Sequence, residues 1–287
     1  MIERNRRSVL TLLLSLFVIG SMGCDSQKDE SDSELVIDAP PGWKLVWNDE
    51  FNGSSIDFDK WEHEVNATGG GNNELQYYTA RSKNSRVESG HLVIEAHKET
   101  FSGEGGTREY TSARMRTRGK GDWMRGRIEV RARLPYGQGL WPAIWMLPTD
   151  QTYGGWPRSG EIDIMEVIGR EPDHVHGTLH FGRASNDKSQ NGGSHRAPAG
   201  SLRNAFHSYI VEWSENEFKW YIDELQYARV TSWYAPNDAF PAPFDQRFHI
   251  LMNVAVGGNW PGSPDGSTVF PQRMEVDYVR VFEKDTN

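Results

Sequence analysis

At 287 residues, 37% hydrophobic and 25% charged, the chain has an ordinary soluble composition and is long enough for one large all-β domain or two small ones. Its formal net charge is −9, and the leading 23 residues contribute +2 (Arg4, Arg6 and Arg7 against Glu3), leaving −11 on the remainder. With no basic patch or Lys/Arg run, that balance argues against nucleic acid and against a strongly anionic polymer as the main partner.

The chain opens on a positive stretch, MIERNRRS, followed by the apolar run VLTLLLSLFVIG, which is too short for a comfortable membrane span. SMGC then ends at Cys24, the one cysteine of the sequence. Residues 1–23 resemble a bacterial lipoprotein signal, cut before a Cys24 that is then acylated; an ordinary secretory signal with an incidental cysteine is the alternative. No internal disulfide is available to a chain with one cysteine. Residues 24–40 are polar and acidic without periodicity, which reads as a disordered tether. Within it QKDE (27–30) resembles the acidic export signals of surface-exposed lipoproteins. The expected location is therefore the outer membrane or cell surface, with the membrane contacted through the lipid on Cys24.

From residue 41 to 287 one domain is expected, since no linker, repeat or low-complexity segment interrupts it. Short alternating runs follow one another: KLVWNDEF (44–51), HLVIEAHK (91–98), RGRIEVRARL (125–134), WPAIWML (141–147), SYIVEW (208–213), FKWYID (218–223), RFHILMNVAV (247–256) and MEVDYVRVFE (274–283). Gly, Asn, Asp and Pro clusters separate them. In RGRIEVRARL, Ile128, Val130, Ala132 and Leu134 alternate with charged residues, predicting a strand with one wet face. No window of helical length carries a 3.6-residue period. Many short strands without helical crossovers predict an all-β sandwich or jelly roll.

The stretch GEIDIMEVIG (160–169) sets three acids in an otherwise apolar, β-branched strand. Alternation places Glu161 and Asp163 on one face, and regular continuation would put Met165 beside them. One extra residue, a β-bulge, brings Glu166 to their face instead. Three readings fit such a cluster. It is a solvated strand face, a cation site, or a pair of catalytic carboxylates with a helper; retaining glycoside hydrolysis needs a nucleophile and a general acid/base about 5–5.5 Å apart. Trp141 and Trp145, four apart in one strand, and Trp156, just before the acids, favour the third, because indole faces stack on sugar rings. His180, in GTLHFG, is a candidate partner for an acid or for the leaving sugar.

GEIDIMEVIG, preceded by GLWPAIWMLP and GWPRSGE, resembles the active-site signature of glycoside hydrolase family 16, and within it the bacterial laminarinase branch of endo-β-1,3-glucanases. GNNELQYYT (71–79), YTSARMRT (110–117), GRIEVRARLP (126–135), NVAVGGNWPG (253–262) and FPQRMEVDYVRVF (270–282) extend the similarity over nearly the whole domain. The resemblance implies a concanavalin A-like β-jelly roll of two curved antiparallel sheets with a cleft across one of them. It assigns Glu161 as nucleophile, Asp163 as its electrostatic helper and Glu166 as general acid/base. It further implies that Asn72, Glu74 and Arg114 line the cleft with Trp141, Trp145 and Trp156. A structural calcium ion is implied at Glu50, the Gly90 carbonyl and Asp277, with no cofactor for catalysis. The expected activity is endo-hydrolysis of β-1,3-glucan, by a monomer, with mixed-linkage glucan as a further substrate. Agarose, carrageenan or xyloglucan are alternatives within the family, and a non-catalytic carbohydrate-binding jelly roll is the alternative outside enzymes.

Overall fold

The computed structural model describes residues 37–286; the signal segment, Cys24 and most of the acidic tether lie outside the described residues. In chain order the strands are β1 Trp43–Asp49, β2 Glu62–His63, β3 Gln76–Tyr78, β4 Ser85–Glu88, β5 His91–Gly103, β6 Gly106–Ser112, β7 Arg114–Arg116, β8 Gly126–Arg133, β9 Leu140–Pro148, β10 Glu161–Glu166, β11 His174–Ala184, β12 Asp187–Arg196, β13 His207–Trp213, β14 Phe218–Ile222, β15 Leu225–Val230, β16 Phe248–Val256 and β17 Gln272–Lys284. Among the described residues a single helical turn, Ser201–Asn204, and a 3-10 turn at Gly69–Gly71 are the helical segments. Every run picked out above falls on a strand.

The strands form a two-sheet jelly roll. One sheet of ten strands has the order β15-β14-β13-β8-β17-β5-β6-β3, with β1 added on β17 and β4 on β5. The other has seven strands in the order β12-β11-β10-β9-β16-β7-β2. Pairing is antiparallel throughout except between β3 and β6, which run parallel and depart from the expected uniform pattern. The core lies between the sheets. In β8, Ile128, Val130 and Ala132 are fully buried, as alternation requires. The opposite face of β8 is wet but not bare. Arg127 bonds Glu129 and Glu212 at 2.8 and 2.9 Å, Arg131 pairs with Asp277, and Arg133 pairs with Glu275. In β16 all nine residues are buried, because this strand sits inside the seven-stranded sheet. Phe248, Ile250, Met252, Val254 and Val256 enter the core, while the alternate residues turn to the sheet's other face.

Behind the seven-stranded sheet the core is aromatic. Trp213 stacks on Phe218 at 5.6 Å and Phe218 on Trp220 at 5.8 Å, and Phe244 meets Phe218 edge-on at 5.2 Å. Two glycines let chains approach closely around β10. A Cβ on Gly169 would lie 1.6 Å from the Gly137 carbonyl oxygen, and one on Gly177 would lie 2.3 Å from the Trp220 ring.

Replacing Ile128 by Ala should destabilise the domain by about 2–5 kcal/mol, since the fully buried side chain leaves a cavity between the sheets. Urea titration of both forms measures it as a lowered midpoint at unchanged slope.

Candidate active site

Strand β10 pairs with β9 and β11, and its register slips on both sides. Asp163 lies opposite Trp145 and Met165 opposite Ile144, so Ile164 is the extra residue. Against β11, Glu161 faces His180, Asp163 faces Thr178 and Glu166 faces His176. Ile162, Ile164 and Met165 all enter the core cluster. Two successive apolar residues thus turn away from the open face, and Glu166 emerges on the side of Glu161 and Asp163. The bulge read from the sequence is present.

Each glutamate has its own indole donor. Trp156 Nε1 donates to Glu161 Oε2 at 2.7 Å, and Trp141 Nε1 donates to Glu166 Oε1 at 3.0 Å. Between them Asp163 is 1% exposed, with His180 Nε2 3.0 Å from its Oδ2 in ion-pair contact rather than hydrogen-bond alignment. Ligand atoms of Glu161, Asp163 and His180 lie within 4.8 Å of one another, a spacing that a cation would also accept. The indole N–H groups on the two glutamates meet a different need, since they favour ionised carboxylates in a water-poor site.

Burial raises all three carboxyl groups, as expected when charge leaves water without a full set of cationic partners. Glu161 is pushed up to about 8, by desolvation first and then by the charge of Asp163. Asp163 rises to about 7 through desolvation, partly offset by hydrogen bonding to Glu161 and Glu166. Glu166 lies well above the carboxylate range, again through desolvation, then Asp163, with Glu161 adding to it. Near neutral pH the trio therefore holds protons, Glu166 among them. Such a set can protonate a leaving oxygen from Glu166. It can also share a proton between Asp163 and Glu161, so that Glu161 acts as an ionised nucleophile.

The remaining candidates fall into two layers. Trp141 and Trp145 are half-buried on β9, and Trp156 is 39% exposed at the rim. Asn72 is half-buried in the GNNE loop; its carbonyl accepts from the Asn259 amide at 2.8 Å, and Asn73 donates to Asn259 Oδ1 at 2.9 Å. These bonds tie that loop to the segment carrying Trp260, whose ring meets Trp141 edge-on at 5.4 Å. Glu74 and Arg114 are only 5% and 8% exposed. Arg114 lies over the rings of Tyr78 and Trp145 and 3.2 Å from Glu64, while Glu74 accepts from Gln76 and Tyr78. Burial opposes the charge of Arg114, and Tyr78, Glu64 and Glu74 hold it in the charged form. Both residues form a buried polar floor, and Trp145, whose Nε1 donates to Asn253 at 2.8 Å, rests on it.

Sequence reasoning missed Trp260, His176, Asn253 and Trp220. His176 shares the open face with Thr178 and His180 by simple alternation in HGTLH, and it stands opposite Glu166. Trp260 was visible in NWPG but had no neighbour in sequence to mark it.

Of the three expected calcium ligands, Glu50, the Gly90 carbonyl and Asp277, the two carboxylates are already taken up by arginines. Glu50 accepts two bonds from Arg280 and one from Asn48, and Asp277 is paired with Arg131. Each carboxylate already faces a guanidinium, so a divalent ion would have to displace a bound positive charge.

Comparison with known proteins accords with this geometry. The model for glycosyl hydrolases family 16 matches residues 72–280, and the chain belongs to that family. A β-glucanase of Rhodothermus marinus is 46% identical over 97% of this chain and 94% of its own length. A glucan endo-1,3-β-glucosidase of Cryptopygus antarcticus is 43% identical over 83% of this chain and 91% of its own. The crystal structure of the laminarinase from Rhodothermus marinus superposes with a TM-score of 0.76 at 49% identity, covering 85% of this chain and 98% of that one.

A raised carboxyl group has a signature in stability. Below about 4.5 Glu161 is protonated in both folded and unfolded chains; between there and about 8 only the unfolded chain ionises freely, so folding stability falls as pH rises. Glu161→Gln removes this loss. The variant should gain in thermal midpoint over the parent as pH is raised from 5 to 8, read by calorimetry at each pH. A constant difference between the two proteins would contradict the raised carboxyl.

Proposed function

We propose that the protein is a retaining, endo-acting hydrolase of β-1,3-glucans of the laminarin type, with mixed β-1,3-1,4-glucan as a secondary substrate. The observation that carries this reading is the bulge that puts Glu161, Asp163 and Glu166 on one strand face, with separate indole donors on the two glutamates. In the reaction the Glu161 carboxylate attacks the anomeric carbon as Glu166 gives its proton to the glycosidic oxygen. The C–O bond breaks, the leaving chain departs as an alcohol, and a glycosyl ester on Glu161 remains. Glu166, now ionised, takes a proton from water, and that water displaces Glu161 to give the β-configured product. Asp163, between the two glutamates, can take the proton that Glu161 gives up as it attacks, and His180 Nε2 lies 3.0 Å from Asp163 Oδ2. Trp141, Trp145, Trp156 and Trp260 provide faces for sugar rings. The choice of polymer draws on the relatives: two of them are named for glucan hydrolysis, and the similar solved structure is a laminarinase.

The reading extends to location. Among the described residues no helix is long and apolar enough to cross a membrane. Attachment through an acylated Cys24, with the acidic segment as spacer, would present the domain at the cell surface. Metabolic labelling with a tagged fatty acid should mark the parent and not Cys24→Ser, with equal glucanase activity in both; an unlabelled parent would refute the anchor.

Two variants separate the roles of the glutamates. Glu166→Ala should lose about 10²–10⁴-fold on laminarin yet still glycosylate itself with an activated aryl glycoside, and added azide should then yield the β-glycosyl azide. Glu161→Ala with azide should yield the α-glycosyl azide, because the anion attacks the anomeric carbon directly. Proton NMR of the first products from the parent enzyme should show the β-anomer; an initial α-anomer would overturn the assignment.

A further inference from the structure

We propose that Trp220, on β14 of the ten-stranded sheet, is a positioning residue for Glu166: its indole N–H holds the bulge of β10 in the register that presents the acid/base. This inference rests on the role given to Glu166 above. A bulge frees one backbone carbonyl from the ladder, and a buried carbonyl without a donor is costly. Here the carbonyl of Asp163 is the one beside the slip, and Trp220 Nε1 donates to it at 2.8 Å across the core. The side chain reaching it is fully buried.

The indole is placed for that bond from two sides. It stacks on Phe218 at 5.8 Å, and Phe218 in turn lies against Trp213 at 5.6 Å and Phe244 at 5.2 Å. On the cleft side it presses on β11 at Gly177, where any Cβ would come within 2.3 Å of Cδ1 and 2.6 Å of Nε1. Gly177 therefore leaves the gap through which an indole on β14 can address β10. Both ends of the arrangement have a sequence cost: a glycine inside a strand, and a polar donor inside an aromatic core.

The competing state of β10 is regular alternation, in which Met165 would face the cleft and Glu166 the core. In that state the Asp163 carbonyl returns to the ladder and Trp220 loses its acceptor. The hydrogen bond is made only in the bulged register, so it biases the strand toward the conformation in which Glu166 can reach a leaving oxygen. Glu161 and Asp163 precede the slip and keep their face in either register. The effect of losing the bond therefore concentrates on proton donation rather than on nucleophilic attack.

That asymmetry supplies the test. Trp220 is replaced by benzothienylalanine, which keeps the bicyclic shape and substitutes sulfur for N–H, and in parallel by Phe; Gly177→Ala displaces the ring from the other side. Each protein is assayed on laminarin, whose leaving group needs a proton, and on a dinitrophenyl β-laminaribioside, whose leaving group does not. On laminarin kcat should fall by about tenfold or more while KM stays within about twofold. On the dinitrophenyl glycoside the glycosylation rate should match the parent's. Equal losses on both substrates would show a merely structural role and overturn the proposal, as would no loss on laminarin in the benzothienyl protein. Glu166→Ala runs beside them as the reference. If it loses equally on both substrates, the acid/base assignment itself fails; if it shows the leaving-group dependence and the Trp220 forms do not, only the present inference fails.

Discussion

Three carboxyl groups on one face of a single strand, withdrawn from water, are the constraint around which the rest of this molecule is arranged. Burial is the main reason the trio keeps protons near neutrality, and for the two glutamates the charge of Asp163 adds to it. The fold answers with geometry rather than with cations. The described side chain with a positive form closest to the trio is His180, and the donors that address the glutamates are neutral indoles on β9 and at the rim. Neutral donors stabilise one ionised carboxylate without forcing all three to ionise, and that leaves one member free to remain an acid.

Holding that arrangement requires both sheets. The seven-stranded sheet supplies the acids and the platforms, and its far side is packed with Trp213, Phe218, Trp220 and Phe244. A second layer lies under Trp145, where Arg114 pairs with Glu64 and Glu74, and Glu74 accepts from Tyr78. Such a network stabilises little by itself, since desolvation consumes most of the attraction, but it has few alternative packings. The platform tryptophan above it is held accordingly. The outer sheet settles its own charges on its wet face, with Arg127, Arg131 and Arg133 of β8 each matched to an acid on the same strand or a neighbouring one.

Much of this was legible in the sequence, for reasons that differ by element. Strands with one core face, such as β8, and strands inside a sheet, such as β9 and β16, carry alternation or continuous apolar character and are plain in the pattern. The bulge in β10 was legible because the acids themselves marked the break in period. By contrast β12, read as DKSQNGGSHR, lies at the end of its sheet and buries almost nothing, so no apolar period marks it. The two-residue β2 and the parallel partner β3 are made by contacts from far along the chain, which local pattern does not encode. At the site, the carboxylates and β9 tryptophans announced themselves by type and spacing. Glu74 and Arg114 were expected at the cleft surface and lie beneath it, because alternation gives the face of a residue but not the depth of what covers it. Trp220 was invisible as a contributor, since its acceptor is a backbone atom 57 positions away on another sheet.

The environment of Trp156 has a consequence of another kind. It is the most exposed of the eleven tryptophans, and its ring nitrogen is bonded directly to the Glu161 carboxyl while Lys188 lies 5.4 Å from its ring. The excited state of indole responds to a charge at its nitrogen and to the solvent on its face, whereas Trp61, Trp213 and Trp220 are buried away from solvent. The protein thus carries its own optical reporter at the rim of the cleft. Emission from Trp156, together with that of Trp141 on Glu166, should follow the ionisation of the glutamate partners and the arrival of a sugar.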